Sequence, residues 1–249
     1  MTWATLAILP ANAEQTLKPS ELPAELLVEA GNRKNELQDH EGAIADYNAA
    51  LKIKPDYARA FFNLGVVACN TGDTKNEIRY FTKAFELVPS DYEALIGRGM
   101  ARLKLGEIEK AKEDFNASLR LNSKDKRTYI GLGIVEKRNG DFTEALTNID
   151  KAIQLDPTFS ASYHERALVY QRMSRLFSRK FFAQAAIADY KKAIKLAPEN
   201  LDAYLDRAIL YLEFGLARLA ISDYEKAIEL LAEQNQVAAV KEMKDSLLS

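Results

Sequence analysis

One cysteine and two histidines in 249 residues leave little material for the chemistry that such residues carry in clusters. Cys69 stands alone, which excludes an internal disulfide and a cysteine-based zinc site. His40 and His164 are too far apart in the pattern described below to act together, and no metal site is expected. The 11 glycines and 7 prolines are spread evenly, so no flexible linker divides the chain. No apolar run is long enough to cross a bilayer as a helix. Neither sign of charge dominates: 34 basic residues face 36 acidic ones, a net charge of -2, which gives no global pull toward nucleic acid or anionic lipid. No glycine-rich phosphate loop follows a strand pattern, and no serine or cysteine has the setting of an activated nucleophile. Neither catalysis nor a cofactor is expected.

What is present is repetition. Hydrophobic residues make up 47% of the chain, enough for a packed core. Pro55, Pro89 and Pro157 set a period of 34 residues, with Ser123 in the empty slot. In that register six units run over 24–57, 58–91, 92–125, 126–159, 160–200 and 201–232, the fifth seven residues longer than the first four. Small residues recur at repeat position 8: Gly31, Gly65, Gly99, Gly133, Ala167 and Ala208. An aromatic or leucine stands four earlier: Leu27, Phe61, Leu95, Tyr129, Tyr163 and Tyr204. The second half of each unit carries Ala43, Ala111, Ala145, Ala186 and Ala220, with Glu77 as the exception. Bulky residues follow four later: Tyr47, Phe81, Phe115, Ile149, Tyr190 and Tyr224.

These spacings place small and bulky residues on facing sides of two helices per unit, so that the axes approach closely and large side chains fill the gaps. Gly72, Gly106, Gly140 and Gly215 mark the turn between the two helices. Asp73 and Asp141 stand ready to cap the second helix, and the proline stops it. Over residues 24 to 232 the pattern resembles the tetratricopeptide repeat family. The resemblance implies an all-α solenoid, a right-handed superhelix of six hairpins whose first helices line a concave groove. It also implies a protein-interaction scaffold or adaptor, in the manner of an assembly factor or co-chaperone. Residues 233 to 249 hold one further helical pattern, with Val237, Val240, Met243 and Leu247 inward, as a cap on the last unit.

Residues 1–23 stand outside the repeats. Trp3 to Leu9 is apolar and is followed by Ala11, Asn12 and Ala13, a pattern like a signal-peptidase site with the cut before Glu14. No basic residue precedes it. Export to a periplasm or lumen and a cytoplasmic arm both remain open.

One charge pair covaries inside the chain. Arg98, Arg166 and Arg207 occupy position 7 of units three, five and six, and Asp114, Asp189 and Asp223 occupy position 23 of the same units. Units two and four have Leu64 and Leu132 instead. An arginine–aspartate bridge between the two helices is expected in those three units.

Positions 5 and 9 of the first helices point toward the expected groove. They read Val28, Asn32, Phe62, Val66, Ile96, Met100, Ile130, Ile134, His164, Leu168, Leu205 and Ile209. So apolar a face calls for a cover: a segment or amphipathic helix of another protein, the chain's own N-terminus, or tight coiling of the stack. A basic rim follows with Lys104, Lys137, Arg138 and Arg172. The insertion of unit five continues it with Arg175, Phe177, Arg179, Lys180 and Phe181, a combination suited to an acidic partner or a membrane surface. Some family members grip a terminal carboxylate with two asparagines and three basic residues. Here Asn32 and Asn63 match, but Val28, Glu93 and Gly97 fill the basic slots, and that mode is not expected. An RNA-binding helical repeat needs a basic inner surface, which is absent here. A homodimer through the groove is the other alternative, so a monomer and a homodimer both stay open.

Overall fold

The computed structural model describes residues 22–233, 236, 240 and 241. Among them are twelve α-helices and no strand, arranged as six consecutive hairpins. The chain divides into two units at Ser123 and Lys124. The first holds α1 (Ala24–Glu36), α2 (His40–Ile53), α3 (Ala58–Asn70), α4 (Thr74–Leu87), α5 (Tyr92–Lys104) and α6 (Ile108–Leu121). The second holds α7 (Lys126–Asn139), α8 (Phe142–Leu155), α9 (Ser160–Phe177), α10 (Lys180–Leu196), α11 (Leu201–Glu213) and α12 (Ala217–Glu233). The closing helix expected over 233–248 falls largely outside the described residues, as does the N-terminal stretch with Trp3 and Ala11 to Ala13.

The hairpins close on the small-to-bulky pairing. A Cβ on Gly31 would lie 2.6 Å from the Tyr47 ring, one on Gly65 2.9 Å from Phe81, and one on Gly99 2.8 Å from Phe115. The same holds for Gly133 and Ile149, at 2.5 Å. Where alanine replaces glycine, as at Ala167, the partner is Tyr190, and both are fully buried. Each such ring, taken fully out of water, contributes roughly 2–3 kcal/mol. Within each unit the hairpins then stack: α2 on α3 and α4 on α5 in the first, α8 on α9 and α10 on α11 in the second. Neighbouring first helices touch as well.

Helix starts follow the side chains that can hold free backbone N–H groups. Asp39, Asp73, Asp91, Asp125 and Asn200 each accept a bond from the first turn they precede. The Asp73 carboxyl, bonded to the side chain and backbone of Asn76, is held below the usual carboxylate range. Burial pushes the Asp125 carboxyl up, but its bonds to Arg127 outweigh this and hold it low. Asp141 corrects the sequence reading: it sits at the helix start but makes no capping bond with its side chain.

The seven extra residues of hairpin five lengthen both helices. α9 has 18 residues against 13 in α3, α5 and α11. α10 has 17 against 14 in α2, α4, α6 and α8.

Candidate functional site

In the first unit the helices α1, α3 and α5 lie side by side, and this contact consumes much of the expected groove lining. Val28 is 2% exposed and Ile96 6%. Phe62, Val66 and Met100 are half-buried, and Phe62 meets Phe81 edge-on at 5.3 Å. Asn32 is engaged too: its side-chain oxygen accepts from the Tyr47 hydroxyl at 2.8 Å and from the Asn63 amide at 2.6 Å. Both asparagines that a carboxylate clamp would need are thus spent on each other.

Lys104 was expected on an open basic rim, but its ammonium sits 3.0 Å from the buried carboxylate of Glu77 and 3.2 Å from the Cys69 sulfur. That also accounts for Glu77 in a slot that elsewhere holds alanine: the carboxylate reaches a cation from the next hairpin. Burial pushes the Cys69 thiol above its ordinary value. A cleft of about 580 Å³ lies on the other face, along α2, α3 and α4. It mixes charges of both signs, with Arg79 stacked over Tyr80 and Lys83 paired to Glu86.

The arginine–aspartate pairs span their hairpins. Arg98 donates to both carboxylate oxygens of Asp114, the shorter contact being 2.6 Å, and Arg102 joins at 2.7 Å. Arg166 lies 2.7 Å from Asp189, and Arg207 lies 2.6 Å from Asp223. Position 7 also reaches back one hairpin: Arg166 to Asp150 at 2.6 Å, and Arg98 to the Thr82 hydroxyl at 3.3 Å. Bonds to Asp189 raise the Arg166 guanidinium above its ordinary value despite burial. In hairpin one, Asp46 has no arginine opposite and takes Lys34 instead, at 2.6 Å.

In the second unit Ile130 and Ile134 are 6% and 9% exposed, Leu168 and Leu205 are half-buried, and Ile209 is exposed. His164 lies 2.8 Å from Asp206 of the next hairpin and tilts over the Tyr190 ring. Val28, Ile96, Ile130 and Ile134 are therefore buried core residues, and Val28 packs in one cluster with Ala60, Leu64 and Val67 of α3. What stays open is a strip of Leu168, Leu205 and Ile209 and, beside it, a cleft of about 360 Å³ between α7 and α9. Lys137, Arg138, Leu168, Gln171, Arg172 and Arg175 line it.

This cleft brings together four of the seven cations expected on the rim and the insertion. Lys137 is partnered by Glu165 at 2.8 Å and Arg175 by Glu213 at 2.5 Å. Arg172 is exposed and has no partner among the described residues. Gln171 is new to the site and only 4% exposed. Its side-chain oxygen accepts from the buried Tyr190 hydroxyl at 2.5 Å, which leaves its NH2 group as a donor toward the cleft. Burial drives the Tyr190 hydroxyl far above its ordinary value, so it keeps the proton it donates to Gln171. Cations and an amide donor converge, and Leu168 supplies an apolar floor. Such a site accepts carboxylates and has no arrangement of nucleophile and base. Arg179, Lys180, Phe177 and Phe181 lie beyond it, at the tip of hairpin five.

Among solved structures the chain is similar to a chain of the APC/C hetero-tetramer Cut9–Hcn1, at 17% identity and a TM-score of 0.75, covering 93% of this chain and 44% of that one. A tetratricopeptide repeat protein from Parabacteroides merdae matches at 22% identity and a TM-score of 0.74, over 88% of this chain and 83% of that one. A thermophilic protein of the same type from Thermus thermophilus matches at 20% identity and a TM-score of 0.64, over 76% and 99% of the two chains. No curated protein matches. Tetratricopeptide repeat family models match residues 31–72, 58–91, 96–158 and 177–235. With six hairpins closed by the same small-to-bulky pairing, and family models matching along most of its length, the chain belongs to the tetratricopeptide repeat family.

Proposed function

We propose that this protein is an interaction scaffold that holds an acidic, amphipathic segment of another protein against the first helices of its second unit. The tetratricopeptide fold supports a scaffold role in general, and proteins built this way are typically not enzymes. The cleft between α7 and α9 carries the finer reading: its lining is cationic, with a buried amide donor and an apolar floor. A helix with carboxylates along one side and leucines or aromatics along the other fits it. The apolar side lies on Leu168, Leu205 and Ile209, and the carboxylates reach Arg138, Arg172 and the Gln171 amide. Glu165 and Glu213 keep Lys137 and Arg175 oriented while the site is empty.

Two variants test this in an affinity capture from the native host, followed by titration of the purified partner. Arg138→Glu/Arg172→Glu reverses two exposed cleft cations, and Lys191→Glu/Lys195→Glu reverses two exposed cations on α10. Each charge-assisted hydrogen bond contributes about 1.5–3 kcal/mol. The cleft variant is therefore expected to weaken the partner at least tenfold while the α10 variant retains it. A partner held equally by the parent and the cleft variant contradicts the proposal.

A further inference from the structure

Hairpin five does more than complete the stack. Its two long helices carry their connecting turn about 7 Å past the point where a 13-residue first helix stops, at 1.5 Å per added residue. The turn is tight, with Ser178 at φ 51° and Arg179 immediately preceding α10. At this apex Leu176 is 55% exposed, Phe177 53% and Phe181 69%. They rest on an aromatic base: Phe182 is half-buried against Tyr170 at 6.4 Å, Phe177 at 6.2 Å and Phe181 at 5.6 Å. Phe142 of the neighbouring hairpin supports Phe177 edge-on at 6.4 Å. None of this is needed to close the hairpin, which the Ala167–Tyr190 contact already does.

Charge singles out the occupant. Residues 166–188 include no Asp or Glu and carry five basic side chains. Arg166 is paired inside the hairpin and Arg175 is held by Glu213. Arg179 and Lys180, both exposed, have no partner among the described residues. Arg172, also exposed, lies in the cleft further back along α9, and Asp141 and Glu144 flank Phe142 on the neighbouring hairpin, so Arg179 and Lys180 are the cations at the apex itself. Large apolar side chains on a convex tip, bracketed by free cations, fit the boundary between phosphate headgroups and acyl chains. A protein ligand is better served by a concave seat, which the tip does not have.

We propose that the tip of hairpin five is a docking site for an anionic phospholipid bilayer surface. Leu176, Phe177 and Phe181 enter the headgroup–acyl boundary, and Arg179 and Lys180 pair with lipid phosphates. The partner cleft of the same unit runs back along α9 from Arg175 to Leu168 and includes none of these five tip residues.

Flotation of the full chain with phosphatidylcholine vesicles, with and without an equal share of phosphatidylglycerol, tests it. The parent is expected to float with the anionic vesicles only, and to release them at high salt. Phe181→Ser and Arg179→Glu/Lys180→Glu alter exposed side chains and leave the hairpin core intact. Each is expected to lower partitioning roughly tenfold or more. Failure of the parent to bind anionic vesicles overturns the proposal. So does binding that both variants retain, because another part of the chain would then be responsible. Capture of polyglutamate by the tip without vesicle binding overturns it in favour of an acidic polypeptide.

Discussion

The turn between the two helices shows how much a single residue carries. Gly72, Gly106, Gly140 and Gly215 all adopt positive φ there, between 71° and 89°. Gln38 at φ 63° and Ser178 at φ 51° hold the same left-handed conformation with side chains that disfavour it. Gln38→Gly is expected to stabilise the first unit by about 0.5–1 kcal/mol, the relief of strain exceeding the added entropy of the unfolded chain. Urea unfolding of the variant reads this directly, and a lower midpoint contradicts it. The four glycines were legible as turns because the repeat aligned them. Gln38 and Ser178 were not, since neither residue type announces a left-handed backbone. Glu77 was legible only as an exception. Its partner, Lys104, comes from another hairpin, and a pattern inside one repeat holds no information about that contact.

At the scale of helices, the arginine–aspartate pairs decide how two amphipathic elements register. Arg207 and Asp223 are 13% and 7% exposed at their side chains, and the Arg207 guanidinium lies 5.8 Å and 5.7 Å from the Tyr204 and Tyr211 rings. Burial works against the charge, yet the bond to Asp223 raises the guanidinium above its ordinary value. Arg207→Ala leaves a buried carboxylate without its cation, and a loss on the order of 3–5 kcal/mol is expected. A chemical unfolding curve indistinguishable from the parent's contradicts that. The covariation of positions 7 and 23 made these pairs readable in advance, because both residues sit in one repeat. The backward reach to Asp150 and Thr82 was not readable, because it joins adjacent repeats. Which of the apolar residues at positions 5 and 9 are buried by the stack was not readable for the same reason. An apolar residue at position 5 has the same identity whether it faces solvent or the next first helix. Ile96 and Ile130 are each only 6% exposed.

At the scale of the whole molecule, the three-hairpin units each bury a core along the chain, as nearest-neighbour stacking requires, and differ in what they leave at the surface. The first unit closes its polar groups on one another: Asn32 on Asn63, and Lys104 on Glu77. The second leaves a cationic cleft between α7 and α9, and composition gave no hint of it, since the chain is nearly neutral overall. The cations themselves stood out by position, but the Gln171 donor and the carboxylates of Glu165 and Glu213 emerge only when the helices are packed. The account's central claim is that a partner lies along these first helices. Amide hydrogen exchange, measured on the full chain with and without its captured partner, tests that claim most directly. Protection gained in α7, α9 and α11 at residues 126–139, 160–177 and 201–213, with α8 and α10 unchanged, is the result the account predicts. Protection confined to α8 and α10, or to the first unit, would contradict it.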